Sequence, residues 1–148
     1  MEMRVEGLDQ LLITLQHGGE KVKDNARKVM KREADKIQER AVLYAPVDDG
    51  QLERSIHLEK GYEDNGRLMI AVVAGGIVDG INVDAYAALI HENYESMKPG
   101  PNTIAKRDAN PGVYVGGKFL DRAAKDSAEK LEKAIIKVVT DDLREMLE

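Results

Sequence analysis

The sequence predicts an α+β fold: an antiparallel sheet with two long helices packed on one face, a short N-terminal helix and a long loop. Three observations point there. An apolar stripe at helical spacing runs through residues 20–43, a second runs from 119 to 147, and between them lies the branched apolar run LMIAVVA at 68–74. Helices gathered on one face of an antiparallel sheet are a common way to bury such a set.

Taking the elements in order, Leu8, Leu11, Leu12 and Leu15 recur every three or four residues between Gly7 and Gly18-Gly19. That predicts a short amphipathic helix over 8–16. Val22, Ala26, Val29, Met30, Ala34, Ile37 and Ala41 then make one stripe of a long helix. Pro46 stops it, because proline lacks the amide hydrogen and clashes with the preceding turn. The charged side of this helix has a basic surplus, with Lys28, Lys31, Arg32, Lys36 and Arg40 prominent. Such a face suits plain solvation, an acidic partner or nearby DNA.

The corner that follows reads Ala45, Pro46, Val47, Asp48, Asp49, Gly50, Gln51, Leu52, Glu53, Arg54, Ser55, Ile56. Pro46 ends the helix, Asp48 or Asp49 suits a turn that accepts backbone amides, and Gly50 permits unusual backbone angles. Leu52 and Ile56 return to the core, so the corner is expected to fix where the helix leaves and the sheet begins.

Alternation is clear over Ile56-His57-Leu58, and Asn65-Gly66 marks a hairpin turn before the central strand at 68–74. AGGIVDG at 74–80 reads as a loop. Residues 83–91 suit a strand, with Tyr86, Ala88 and Ile90 on one face, or a single short helix. Residues 92–117 hold three of the four prolines and read as a long irregular loop, with Val113-Tyr114-Val115 as a brief strand inside it. Loops of that length are commonly functional. Phe119, Leu120, Ala123, Ala124, Ser127, Leu131, Ala134, Ile135, Val138, Val139 and Leu143 mark the buried side of the final helix.

With 148 residues the chain is expected to form a single domain, 1–148. Its net charge of −5 argues against a general nucleic-acid binder while leaving room for a local basic stripe. There is no cysteine, so thiolate and disulfide chemistry are excluded. No run of apolar residues reaches membrane-spanning length, and the start lacks a secretory-signal pattern. One phenylalanine and five tyrosines leave the core to Leu, Ile, Val, Ala and Met.

Chemistry finds little support. His17, His57 and His91 have no metal-binding spacing, and His91-Glu92 alone is a poor ligand pair. Adjacent Asp48 and Asp49 do not make the paired carboxylates of a glycosidase, and the EF-hand pattern is absent. AGGIVDG lacks the spacing of a dinucleotide loop. Ser55 with His57 has no evident third member. No catalytic, cofactor or metal residues are assigned, and no enzyme activity is expected.

Residues 45–56 resemble the APVDTGxLRxSI signature of the HK97 gp10-like family of tailed-phage proteins. Asp49 stands where threonine is usual, and Glu53 where a basic residue is common. Gly7-Leu8 through Leu15 resembles the family's opening helix, Tyr86 to Glu92 its later tyrosine-alanine strand, and Lys118 to Ala123 the start of its last helix. The resemblance implies a structural virion protein at the head–tail junction: a tail completion, tail terminator or head–tail joining subunit. It implies a ring, often sixfold, of copies of the chain, with the tail tube protein and a head-closure or adaptor protein as neighbours. It implies no cofactor and no membrane. The candidate interface is Tyr86, Glu92, Tyr94, Lys98, Lys106, Arg107, Tyr114 and Lys118, and the basic helix face would lie near DNA or a partner. The competing readings are a cytoplasmic protein–protein adaptor and a small hydrolase using His57 or His91.

Overall fold

Alternating blocks of three and four between apolar positions produce the first long helix, α1 (Glu20–Tyr44), in the computed structural model. The structure describes residues 3–4, 20–62 and 68–147. The expected 8–16 helix and the Asn65-Gly66 turn lie outside the described residues. Helix α1 buries Val22, Ala26, Val29, Met30, Ala34, Ile37 and Ala41, which is the stripe read from the sequence. It ends at Tyr44, two residues before Pro46.

The second long helix, α5 (Phe119–Leu147), runs antiparallel to α1 along its length. Polar pairs fix the register at both ends. Lys21 Nζ lies 3.2 Å from Glu145 Oε2, and Asn25 Nδ2 donates to Asp142 Oδ2 at 3.0 Å. At the other end Arg40 Nη1 donates to Ser127 Oγ at 2.7 Å, and the Tyr44 hydroxyl donates to Asp126 Oδ2 at 2.7 Å. The buried stripes are alanine-rich, and Ala34, Ala41, Ala123 and Ala124 share one core cluster with Met30, Ile37 and Phe119. Small side chains let the helix axes approach, which is how a core with so few aromatics closes.

Both long helices pack on the small antiparallel sheet, ordered β1 (Met3–Arg4), β3 (Leu68–Ala74), β2 (His57–Tyr62). Strand β3 is central, and its pairing with β2 runs from His57↔Val73 to Tyr62↔Leu68. Leu68, Ile70, Val72, Val73 and Ala74 are buried.

After the corner turn, Gln51–Ser55 forms the short helix α2, which buries Leu52. Three local readings need revision. The loop at 74–80 contains β4 (Ile77–Val78), paired with β5 (Ile81–Asn82). Their two-residue connection, Asp79 at φ +51° and Gly80 at φ +77°, is a left-handed hairpin turn that suits Asp-Gly. Of the two alternatives at 83–91, the chain takes the helix, α3 (Asp84–Asn93). Ala87, Ile90, His91 and Tyr94 are buried at helical spacing, and Tyr86 is exposed. The strand-like analogue drawn from the family resemblance is therefore helical here. Finally, the 92–117 span is divided by a 3-10 turn (Tyr94–Ser96) and by α4 (Pro101–Ala109). Pro101 is pre-set for a first helical turn, and Lys106 and Arg107 sit in the last turn, where cations are favoured. No strand forms at Val113-Tyr114-Val115.

Phe119, the single phenylalanine, is fully buried, with its ring 5.0 Å from His91 in an edge-on arrangement. Phe119→Ala is expected to cost about 3–5 kcal/mol in urea unfolding, as large aromatic truncations do. A loss below about 1 kcal/mol would mean that the helix pair, not this contact, carries the core.

Candidate functional site

The end of α1 organises the candidate site. A helical carbonyl bonds the amide four residues on, so Pro46 leaves Val42 O with only a long 3.4 Å bond from Ala45 N. Lys106 Nζ takes that carbonyl at 2.6 Å and Ala45 O at 2.7 Å, and lies 3.2 Å from Glu53 Oε2. Tyr44 O receives Gly116 N at 2.9 Å and Arg122 Nη2 at 3.4 Å. Val47 pairs with the Thr103 side chain instead of a strand: its amide donates to Thr103 Oγ1 at 3.1 Å, and the hydroxyl donates back to Val47 O at 3.0 Å. Asn102 Nδ2 donates to Asp48 O at 2.8 Å. Helix α4 is thereby clamped onto the corner.

Within the corner, Ala45, Pro46, Leu52, Ser55 and Ile56 are buried. Ser55 Oγ donates to Leu52 O at 2.7 Å and accepts from Gly75 N at 3.2 Å. Gly50 has φ +83° and caps α2, and a Cβ there would meet Arg54 Nη1 at 2.8 Å. Arg54 Nη2 pairs with Asp79 Oδ2 at 2.6 Å, tying the corner to the β4–β5 hairpin. Asp48 and Asp49 are exposed. Their backbone carbonyls, not their carboxylates, make the corner's hydrogen bonds among the described residues.

A second knot holds residues 113–118. Arg122 donates to the carbonyls of Gly117 at 2.9 Å, Tyr114 at 2.8 Å and Gly116 at 3.3 Å. Its guanidinium lies between two rings, 5.0 Å from Tyr44 and 4.9 Å from Tyr114. Arg107 approaches Tyr114 as well, at 5.2 Å, and its Nε donates to Val115 O at 2.8 Å. The Tyr114 hydroxyl sits 2.5 Å from both Glu95 carboxylate oxygens, and Gly117 N donates to Glu95 at 3.2 Å. Lys118 pairs with Glu92, and its amide donates to His91 O at 2.8 Å.

The predicted interface residues therefore divide. Tyr94 is in the core, and Lys106 and Arg107 are half-buried and occupied by carbonyls. Tyr86, Glu92, Lys98, Tyr114 and Lys118 are exposed. On the basic face, Lys28, Lys31, Arg32 and Lys36 are exposed, while Arg40 bonds α5. Arg32 and Lys36 both approach the buried Glu33, at 3.6 and 3.2 Å. Sequence reasoning missed Thr103, Glu95 and Arg122. Their partners lie far away in sequence, so no local spacing marks them.

The hydrolase pairing does not assemble. Ser55 Oγ is buried and engaged, while His57 Nδ1 faces the Ser55 carbonyl oxygen at 2.7 Å and Nε2 faces Glu59. His91 is buried, with Nδ1 3.0 Å from Glu92 Oε1 and Nε2 without a hydrogen bond, 4.0 Å from Asp121 Oδ1. Among the described residues no three His, Asp or Glu side chains could hold a metal ion, and no helix is long and apolar enough to cross a membrane.

The family model of HK97-gp10-like proteins, described as a bacteriophage HK97-gp10 tail component, matches residues 9–90. The chain belongs to this family. The match covers more than half of the HK97-gp10-like chain and includes α1, the whole corner, the sheet hairpin and most of α3. The last-helix resemblance at 118–123 lies outside it. No curated protein and no solved structure matched. The match gives the HK97-gp10-like protein the general role of a phage tail component.

The clamps make separable predictions. Gly50→Ala forces a side chain into left-handed backbone and should cost about 1–2 kcal/mol. Lys106→Met strands the Val42 and Ala45 carbonyls and should cost about 1–3 kcal/mol. Denaturant titration reads both, and wild-type midpoints would contradict the clamp. The Tyr114 hydrogen bond holds the Glu95 carboxyl below its usual range. Such a group stabilises the fold above its unfolded pKa, and that contribution is lost as pH falls through the lower folded value. The melting difference between wild type and Glu95→Gln should therefore be largest near neutrality and close below about pH 4. A difference independent of pH would remove Glu95 from the knot.

Proposed function

We propose that this tail component completes the phage tail and joins it to the head side, acting as a ring on the end of the tail tube. The family match across the corner carries the reading. In it the chain acts as one tail-completion-like unit, assembled in the host cytoplasm and carried into the virion. Its partners are further copies of itself, sixfold by the family resemblance, the tail tube protein and a head-closure or adaptor protein of the neck.

The pinned 92–118 segment supports this role. Exposed Tyr114 and Lys118 stand on the segment held by Arg122, Glu92 pairs with Lys118, and the neighbouring α4 is held by Lys106 and Thr103. A surface ordered before docking loses less conformational entropy when it meets a partner. Tyr94, Lys106 and Arg107 then act from beneath, as supports of that surface. The exposed face of α1 carries Asp24, Asp35 and Glu39 beside its lysines, so its electrostatic attraction for DNA is diluted.

Negative-stain microscopy of the concentrated protein, alone and with purified tail tubes, checks the role. Closed rings, or caps at tube ends, are the expected outcome. Small scattered particles in both samples would overturn it in favour of a cytoplasmic adaptor.

A further inference from the structure

A small cleft of about 180 Å³ opens between the corner and the β5–α3 junction. Leu52, Ile81, Val83 and Tyr86 supply apolar walls, and Asp48 and Asp49 form its lip. Small-molecule pockets run to roughly 300–1,000 Å³, so this one suits amino-acid side chains rather than a ligand of that size. Its chemistry is anionic and aromatic. Burial and the Asp48 carboxylate, with Tyr94 and Asp49 behind them, push the Tyr86 phenol up. The nearby Arg54 guanidinium is already paired with Asp79, and among the described residues neither Asp48 nor Asp49 has an ion-pair partner. Ile81, Tyr86 and Leu89 extend the apolar surface outward, each at least 40% exposed. Carboxylates beside an aromatic ring and an apolar wall recognise an ammonium or guanidinium on a hydrocarbon stem.

The same chain carries the complement. Lys28 and Lys31 are exposed one turn apart on α1, and neither is in an ion pair among the described residues. Lys31 stands about 20 Å along the helix axis from the end of α1, so its own cleft is out of reach. Different patches on one chain that complement each other define a head-to-tail contact, which closes into a ring when the rotation permits.

We infer that the Asp48–Asp49–Tyr86 cleft is a docking site for the Lys28–Lys31 pair of a neighbouring copy of this chain. The inference rests on the ring reading and names the contact that propagates it. High salt weakens this contact, because its charges are partly exposed.

Sedimentation velocity at low salt tests it with two charge-reversed proteins, Asp48→Lys/Asp49→Lys and Lys28→Asp/Lys31→Asp. Both change exposed side chains, and circular dichroism melts check that each is folded. Each alone should self-associate at least about tenfold more weakly than wild type. A 1:1 mixture should recover assembly, since every cleft then meets a stripe of opposite sign. If either variant assembles alone as wild type does, or the mixture fails to recover, the contact lies elsewhere and the ring reading stands. A wild-type chain that stays monomeric both in solution and on tail tubes would overturn the contact and the ring together. Assembly only on tubes, insensitive to these reversals, would place the contact outside the cleft and overturn the contact between copies.

Discussion

Helix α1 stops at Tyr44, just before Pro46, and the carbonyls at its end, Val42, Tyr44 and Ala45 among them, must find donors elsewhere. Lys106 from α4 supplies two of those bonds, and Gly116 and Arg122 supply the bonds to Tyr44 O. A buried carbonyl without a partner is costly, and a charged donor is among the stronger remedies. The consequence reaches well beyond the helix end. Because the donors come from α4, from the 113–118 segment and from α5, the end of one helix binds three later parts of the chain to one point.

That arrangement explains why a region rich in proline and glycine is ordered. Helix α4 cannot drift while Thr103 holds both backbone groups of Val47. The 113–118 segment cannot open without releasing Arg122 from four carbonyls and two aromatic rings. Fixing the backbone of a free loop on docking costs about 1–2 kcal/mol per residue. In the role proposed above, a docking surface set beforehand does not meet that cost at assembly. The corner is thus structural: the Asp48 and Asp49 carbonyls take hydrogen bonds while both side chains stay exposed.

Much of the architecture was legible. The stripe at 22–41 and the 119–131 part of the second are long enough for period to decide, although Leu143, expected on the buried side, is exposed, and LMIAVVA reads as a central strand. Short elements resisted for identifiable reasons. Tyr86, Ala88 and Ile90 alternate as a strand would, yet Ala87, Ile90, His91 and Tyr94 are the buried set, and ten residues support both patterns. Asp79-Gly80 is a hairpin signal, hidden because the flanking strands are two residues each. Pro101 was counted as a loop breaker when its place at a first helical turn makes it a helix starter. In the candidate site, Pro46 and Gly50 were readable from local stereochemistry. Lys106 and Arg122 were not, since a lysine's choice between solvent and a carbonyl 64 residues away has no local signature.

Hydrogen–deuterium exchange of the isolated protein tests the central claim most directly, because the claim is that the segment after α4 is fixed before any partner arrives. The amides of Gly116 and Lys118, bonded to Tyr44 O and His91 O, should exchange as slowly as those in the middle of α1. Exchange of both within seconds, with α1 still protected, would mean that the stranded carbonyls of the corner do not hold the joining surface in place.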